Sequence, residues 1–199
     1  MKLALIDAGG ANLGSVRYAL ERLGVTPTLV RTAEELQGAE RVILPGVGAA
    51  EEGMRRLHAQ GLVEALRGLQ VPLLGICLGM QLLFESSEEG GVACLGLLSG
   101  CVRKLQGSAE LRVPHMGWNG LDLLQPSPLL EGINAEAQAY FVHSYAAPVT
   151  EECIAACTHG ERFAAMVQCG RVAGAQFHPE RSAAVGARVL ENFLAWNPA

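Results

Sequence analysis

The sequence is short of the features that mark several large classes of protein. Lys and Arg number 15 against 20 Asp and Glu, giving a net charge of −5, and they form no basic cluster. That argues against a nucleic-acid partner. No apolar run approaches the ~20 residues a membrane span needs. Met1 leads straight into the strand-like Leu3-Ala-Leu-Ile6, with no basic segment and cleavage site, so no signal peptide is expected. The six cysteines include no CxxC pair, and Cys153-x-x-x-Cys157 lies in an alternating run that suits packing better than metal binding. A cytoplasmic, reducing location is expected. There is no P-loop sequence, and Gly9-Gly-Ala-Asn-Leu-Gly14 lacks the middle glycine of a dinucleotide fingerprint. Neither ATP nor dinucleotide binding is supported.

What is present is an ordinary globular composition, half apolar and 18% charged. The length suits one domain, residues 1–199, with a sizeable core. The first half alternates strand and helix patterns. Leu3 to Asp7 reads as a strand, and Asn12 as the cap of a helix whose apolar stripe is Val16, Ala19, Leu20 and Leu23. A second strand lies near Thr26 to Arg31. Thr32-x-x-Glu35 reads as a capping box opening a short helix. Arg41 to Leu44 and Pro72 to Ile76 are further strands, with helices between them. This alternation predicts a parallel sheet with helices on both faces. From Cys101 onward short strand-like runs dominate, and a last helix begins after Ser182.

One stretch organises the chain: Gly75-Ile-Cys77-Leu-Gly79, between the strand ending at Ile76 and a helical pattern predicted to run on through Leu82 and Glu85. This is the G-x-nucleophile-x-G elbow, with cysteine as nucleophile. A nucleophile on a sharp strand-to-helix turn takes a strained backbone, and glycines two residues either side remove the collisions. The free N–H groups at the helix start favour a thiolate and can hold an oxyanion. The alternative reading is a buried cysteine between packing glycines.

A cysteine nucleophile needs a base, and the base needs an orienting group. His58 and His159 read as surface residues. His115, in Pro114-His-Met-Gly-Trp118, either packs or lines a pocket. His143, inside Tyr140-Phe-Val-His-Ser-Tyr145, reads as a core residue. His178 ends the last strand, and Pro179 holds it extended and stops the sheet there. In extended chain Glu180 shares its face and can orient the imidazole. His-Pro-Glu also resembles the H-x-E of zinc deaminases, but no P-C-x-x-C follows. Besides the Leu78 N–H, a second oxyanion donor can come from Pro45-Gly46-Val47-Gly48, which on spacing alone reads equally as a strand-to-helix turn.

These residues together resemble the triad (class I) glutamine amidotransferases. Leu44-Pro-Gly-Val-Gly48, Met80-Gln-Leu-Leu-Phe-Glu-Ser-Ser87, Pro114-His-Met-Gly-Trp-Asn119, Tyr140-Phe-Val-His-Ser-Tyr145 and Gln176-Phe-His-Pro-Glu180 are similar to the family of glutaminase subunits of imidazole glycerol phosphate synthase. The resemblance implies a flavodoxin-like three-layer α/β/α fold. It implies attack by Cys77 on the side-chain amide of L-glutamine, with His178 moving the proton and Glu180 orienting it. By the same resemblance Leu78 and the Gly46–Val47 peptide form the oxyanion hole, and Gln81, Glu85, His143, Ser144 and Tyr145 hold glutamine. Ammonia is expected to pass to a (β/α)₈-barrel cyclase subunit that makes imidazole glycerol phosphate in histidine biosynthesis. No metal or organic cofactor is implied. Loop residues Met116, Trp118, Leu95, Leu97 and Leu98 are expected to leave an apolar patch for that partner. A different cysteine hydrolase on this fold, such as a peptidase or γ-glutamyl hydrolase, and a non-catalytic binding module are the alternatives.

Overall fold

Alternate residues of the leading strands face opposite ways, and both sides are apolar. In β1 (Leu3–Ile6), Leu3 and Leu5 join one buried cluster while Ala4 and Ile6 join another. A strand apolar on both faces must be covered on both, as a central parallel strand is. The computed structural model, which describes residues 1–9, 12–109 and 111–198, supplies that cover. Helix α1 (Leu13–Arg22) puts Val16 and Leu20 into the first cluster. After β2 (Thr28–Val30) and β3 (Arg41–Gly46) come α2 (Ala50–Ala59) and α3 (Leu62–Arg67). Their Met54, Leu57, Leu62 and Leu66 enter the second cluster on the opposite face.

β4 (Leu73–Cys77) is followed by α4 (Leu78–Gln81), then by β5 (Phe84–Ser87), β6 (Val92–Ala93) and β7 (Leu98–Lys104). β8 (His115–Gly120), β9 (Asp122–Leu123), β10 (Gln138–His143) and β11 (Tyr145–Ala146) lead to β12 (Cys153–His159), β13 (Glu161–Cys169) and β14 (Val172–Ala175). Helix α5 (Ala183–Ala195) closes the first cluster with Val189 and Phe193. The eight-stranded sheet has the order β2-β1-β3-β4-β14-β13-β12-β9. Its first five strands are parallel and the rest antiparallel. The fold is therefore the α/β class with a mostly parallel central sheet between two helical layers. Two satellite sheets, β10-β8 and β11-β7-β5-β6, stand beside it. The parallel strands place the ends of β1, β3, β4 and β14 on one edge, where open α/β sheets hold their sites.

Several sequence expectations are corrected. The helix after Cys77 is one turn, not a continuous run through Glu85. The Leu82, Leu83 and Phe84 carbonyls accept from the N–H groups of Leu95, Gly96, Leu97 and Leu98, so Phe84 turns into β5 instead. The same hydrogen bonds bury Leu95 and Leu98, leaving Met116 and Trp118 as the exposed members of the expected apolar patch. Thr32 does accept from the Glu35 N–H at 3.4 Å, but only a turn forms before Gly38, at φ 72°. The Glu35 carboxylate is spent on the Arg31 N–H. Ser127-Pro128, whose residue types suit a cap and a first helical position, does cap a 3₁₀ turn, Pro128–Leu130, through the Leu129 N–H.

Arg41, a buried charge at the start of β3, received no role from the sequence. Its guanidinium donates to the carbonyls of Phe193 and Trp196 at 3.2 and 2.6 Å and to Asn197 Oδ1 at 3.0 Å. It clamps the segment leaving α5 onto the sheet.

Candidate active site

Cys77 ends β4 with φ 53° and ψ −112°, a left-handed conformation that costs a non-glycine residue energy. The two flanking glycines are explained by contact. A Cβ on Gly75 would lie 2.6 Å from the Gly79 carbonyl oxygen, and one on Gly79 would run into the Leu44 carbonyl. The elbow therefore packs backbone on backbone, which only glycine permits. Gly46, paired with Cys77 across β3–β4, is as tightly placed: its Cβ would lie 3.0 Å from the Gly79 nitrogen.

His178 arrives from the neighbouring strand β14. Its own N–H donates to the Tyr140 carbonyl at 2.9 Å. Ser182, fully buried, donates to the His178 carbonyl at 2.7 Å and accepts from the Tyr140 N–H at 2.9 Å. His178 is extended as expected, but Pro179–Arg181 is a 3₁₀ turn and not a continued extended segment. The turn still brings Glu180 Oε1 to 2.7 Å from His178 Nδ1. Nδ1 is therefore the donor, and Nε2 is turned the other way. Among the described residues Nε2 is buried without a hydrogen-bond partner, although His178 and Cys77 line one cavity of about 800 Å³. The Cys77 thiol lies within reach of the Val142 carbonyl, at 3.9 Å.

The electrostatics of the pair run in opposite directions. Burial opposes the charge on His178, but the nearby Cys77 sulfur and the hydrogen bond and charge of Glu180 outweigh it and raise its pKa to about 10. Burial opposes the charge on Glu180 too, and the hydrogen bonds from His178 and Asn12 with the His178 charge hold it below the usual carboxylate range.

Leu78, Val47, Gln81, His143, Ser144 and Tyr145 line the same cavity as Cys77 and His178. Glu180 stands behind His178. Glu85 is not brought to the cavity: it is exposed on β5 and its carboxylate accepts from the Gly100 N–H at 2.9 Å. His143 and His115 are both buried and form a relay. The Tyr145 carbonyl accepts from His143 Nδ1 at 2.8 Å, His143 Nε2 lies 3.1 Å from His115 Nδ1, and His115 Nε2 lies 3.2 Å from Asn119 Nδ2. The carbonyl can only accept, so His143 carries its proton on Nδ1, and the polarity of every later contact follows. Burial, with a smaller contribution from charge on His159, lowers the His115 pKa to about 4. Burial also lowers that of His143 to about 3, against the opposing hydrogen bond to Tyr145.

Asn12 is the residue the sequence misplaced. It sits before α1 at φ 116°, and its side chain makes no cap. Nδ2 instead donates to Glu180 Oε1 and lies 3.2 Å from His178 Nδ1. Nothing local predicts a contact spanning more than 160 residues. Gln176 and Ser182 were also missed. Gln176 had a signal, a polar side chain inside the apolar run Ala173-Gly-Ala-Gln-Phe177.

Comparison with known proteins sets the class first. The family model described as glutamine amidotransferase class-I matches residues 4–196, and the chain belongs to that family. Its relatives are narrower. It is 69% identical over 192 residues to the imidazole glycerol phosphate synthase subunit HisH of Xanthomonas axonopodis pv. citri (strain 306), covering 96% of each chain. It is 65% identical over 198 residues to the HisH subunit of Xylella fastidiosa (strain Temecula1 / ATCC 700964), covering 100% of this chain and 99% of that one. Among solved structures, one described as a glutamine amidotransferase superposes with a TM-score of 0.76 at 22% identity, covering 98% of both chains. PurLQS from Thermotoga maritima gives 0.73 at 21% identity, covering 98% of this chain and 97% of that one. These two likenesses concern the fold.

Proposed function

We propose that the chain, acting as one amidotransferase domain, is the glutaminase subunit of imidazole glycerol phosphate synthase. It hydrolyses L-glutamine to glutamate and ammonia and delivers the ammonia to a (β/α)₈-barrel cyclase subunit in histidine biosynthesis. The observation that carries this reading is that Cys77, on its strained elbow, lines one cavity with His178, whose buried Nε2 has no partner among the described residues.

In this reaction the Cys77 sulfur attacks the side-chain amide carbon of glutamine. The Leu78 N–H and the Gly46–Val47 peptide receive the negative charge that develops on the amide oxygen. His178, charged at neutral pH by its raised pKa, gives its Nε2 proton to the departing ammonia. Glu180 keeps Nδ1 protonated and the ring aimed, and Asn12 holds the Glu180 oxygen that does so. Water, deprotonated by His178, then cleaves the glutamyl thioester. Gln81 and the backbone from His143 to Tyr145 hold the amino-acid end of glutamine. Glu85, remote from the cavity and occupied by Gly100, acts on the surrounding loop. Exposed Met116 and Trp118 on β8 suit cover by the cyclase.

The test is glutamate release from glutamine by the chain alone, by the chain with the cyclase subunit and its nucleotide, and by Cys77→Ala in the same mixture. Strong stimulation by the partner and loss of release in the variant are expected. Full release by Cys77→Ala overturns the assignment of the nucleophile.

A further inference from the structure

The proposed chemistry uses Cys77, His178 and Glu180 but leaves one buried group in contact with the sulfur without a role. Gln176 is fully buried, and its Nε2 lies 3.8 Å from Cys77 Sγ. A buried amide in contact with a nucleophile presents either an N–H or a lone pair to it, and the two have opposite effects on a thiolate. The surrounding contacts determine which is presented. The Tyr145 carbonyl, a group that only accepts, lies 2.7 Å from the Gln81 side-chain nitrogen, so that atom is the donor Nε2. The same nitrogen lies 3.0 Å from the Gln176 amide. It must meet an acceptor there, which turns Gln176 Oε1 toward Gln81 and leaves Gln176 Nε2 facing the sulfur. The reverse orientation would set N–H against N–H beside Gln81, where both side chains are buried. His143 Nδ1 donates to the same Tyr145 carbonyl at 2.8 Å and helps to fix its position.

We propose that Gln176 is a catalytic residue of the glutaminase: its side-chain N–H donates to the Cys77 sulfur and stabilises the thiolate, with its orientation imposed by Gln81 and the Tyr145 carbonyl. The proposal rests on the reading of Cys77 as the nucleophile. A donor on a charged acceptor is stronger than one on a neutral acceptor, so the contact favours the thiolate over the thiol. It also ties the nucleophile to Tyr145, one of the residues proposed to hold glutamine, through the buried amides of Gln81 and Gln176.

The test is the rate of alkylation of Cys77 by iodoacetamide from pH 5 to 10 on the full chain, read at the Cys77 peptide by mass spectrometry. Site-specific reading is needed because Cys169 is exposed. Gln176→Met keeps the length and removes the donor. Gln176→Glu keeps an acceptor for Gln81 and sets an oxygen against the sulfur. The midpoint of the profile is expected to rise by about one pH unit, a tenfold change, in Gln176→Met and further in Gln176→Glu. The kcat with the cyclase subunit is expected to fall about tenfold at pH values below the midpoint, with KM little changed. A folded variant whose profile superimposes on that of the unaltered chain overturns the proposal, since a merely structural role moves stability and not the midpoint.

If neither variant folds, the side-chain amide protons of Gln176 in the unaltered chain serve instead. Their NMR shifts are expected to follow the alkylation profile and to lose that response in Cys77→Ala. A response absent from the unaltered chain, or unchanged in Cys77→Ala, overturns the proposal. Glutaminase activity of Cys77→Ala separates the two readings: full activity removes the nucleophile assignment itself, whereas an inactive variant with an unmoved Gln176 profile removes this inference alone.

Discussion

Acid should destabilise this protein well before its carboxylates titrate. His115 and His143 are buried, and their tautomers are locked by the Tyr145 carbonyl at one end and Asn119 at the other. A proton added to His143 Nε2 would set two N–H groups face to face. A proton added to His115 Nε2 would face Asn119 Nδ2. Asn119 cannot turn over freely, because Nδ2 also donates to the Thr158 carbonyl and Oδ1 accepts from the Gly120 N–H. The folded pKa values of about 4 and about 3 lie below the ordinary 6.5, so the unfolded chain binds more protons and stability falls as pH drops below 6.5. Between pH 6.5 and 5.0 each imidazole costs about 1.7 kcal/mol and the pair about 3. That is a large share of a net stability of about 5–15 kcal/mol. His178 has the opposite sign: its folded pKa is raised, so its contribution is complete below pH 6.5 and is lost only as pH climbs toward that raised value. The assay is urea unfolding at pH 6.5 and 5.0. His143→Asn keeps a donor for Tyr145 and removes one titrating ring, so its acid loss should be about half that of the unaltered chain. A stability flat to within about 0.5 kcal/mol across this window, or an equal loss in His143→Asn, would refute the reasoning.

Three further outcomes are expected. Gly79→Ala drives a methyl into the Leu44 carbonyl and should cost more than about 3 kcal/mol by urea unfolding, whereas Gly91→Ala, at φ 60° with nothing nearby, should cost only about 1–2 kcal/mol. Asn12→Ala frees Glu180 Oε1 of one donor and should lower kcat with the cyclase subunit about tenfold at unchanged KM; an unchanged kcat would remove its positioning role. Arg41→Met removes the guanidinium from the Phe193 and Trp196 carbonyls and should destabilise the chain by about 2–4 kcal/mol in urea; a change under about 0.5 kcal/mol would show that the C-terminal clamp contributes little.

Patterns confined to one element were legible in the sequence. The alternation of strand and helix patterns predicted the parallel sheet, and the spacing of Gly75, Cys77 and Gly79 predicted a strained turn whose contacts the structure supplies. The adjacency of His178 and Glu180 predicted their hydrogen bond, although through a 3₁₀ turn. What failed depended on partners distant along the chain. Periodicity alone continued α4 through Leu82 and Glu85, because nothing local reveals that residues 95–98 claim the carbonyls a helix would need. The residue type of Asn12 suggests a cap, and its pull toward Glu180 arises only once β1 and β14 lie on one sheet. Gln176 and Arg41 were visible as polar side chains in apolar surroundings, but their partners were not.

Cys77 is the group that glutamine is proposed to meet. An electrophilic glutamine analogue, a diazo-ketone of the same length, tests this most directly when the labelled peptide is identified by mass spectrometry. Labelling at Cys77 alone among the six cysteines is predicted, with glutamine protecting it and His178→Ala slowing it. Labelling at another cysteine, or at Cys77 with no protection by glutamine, would contradict the account.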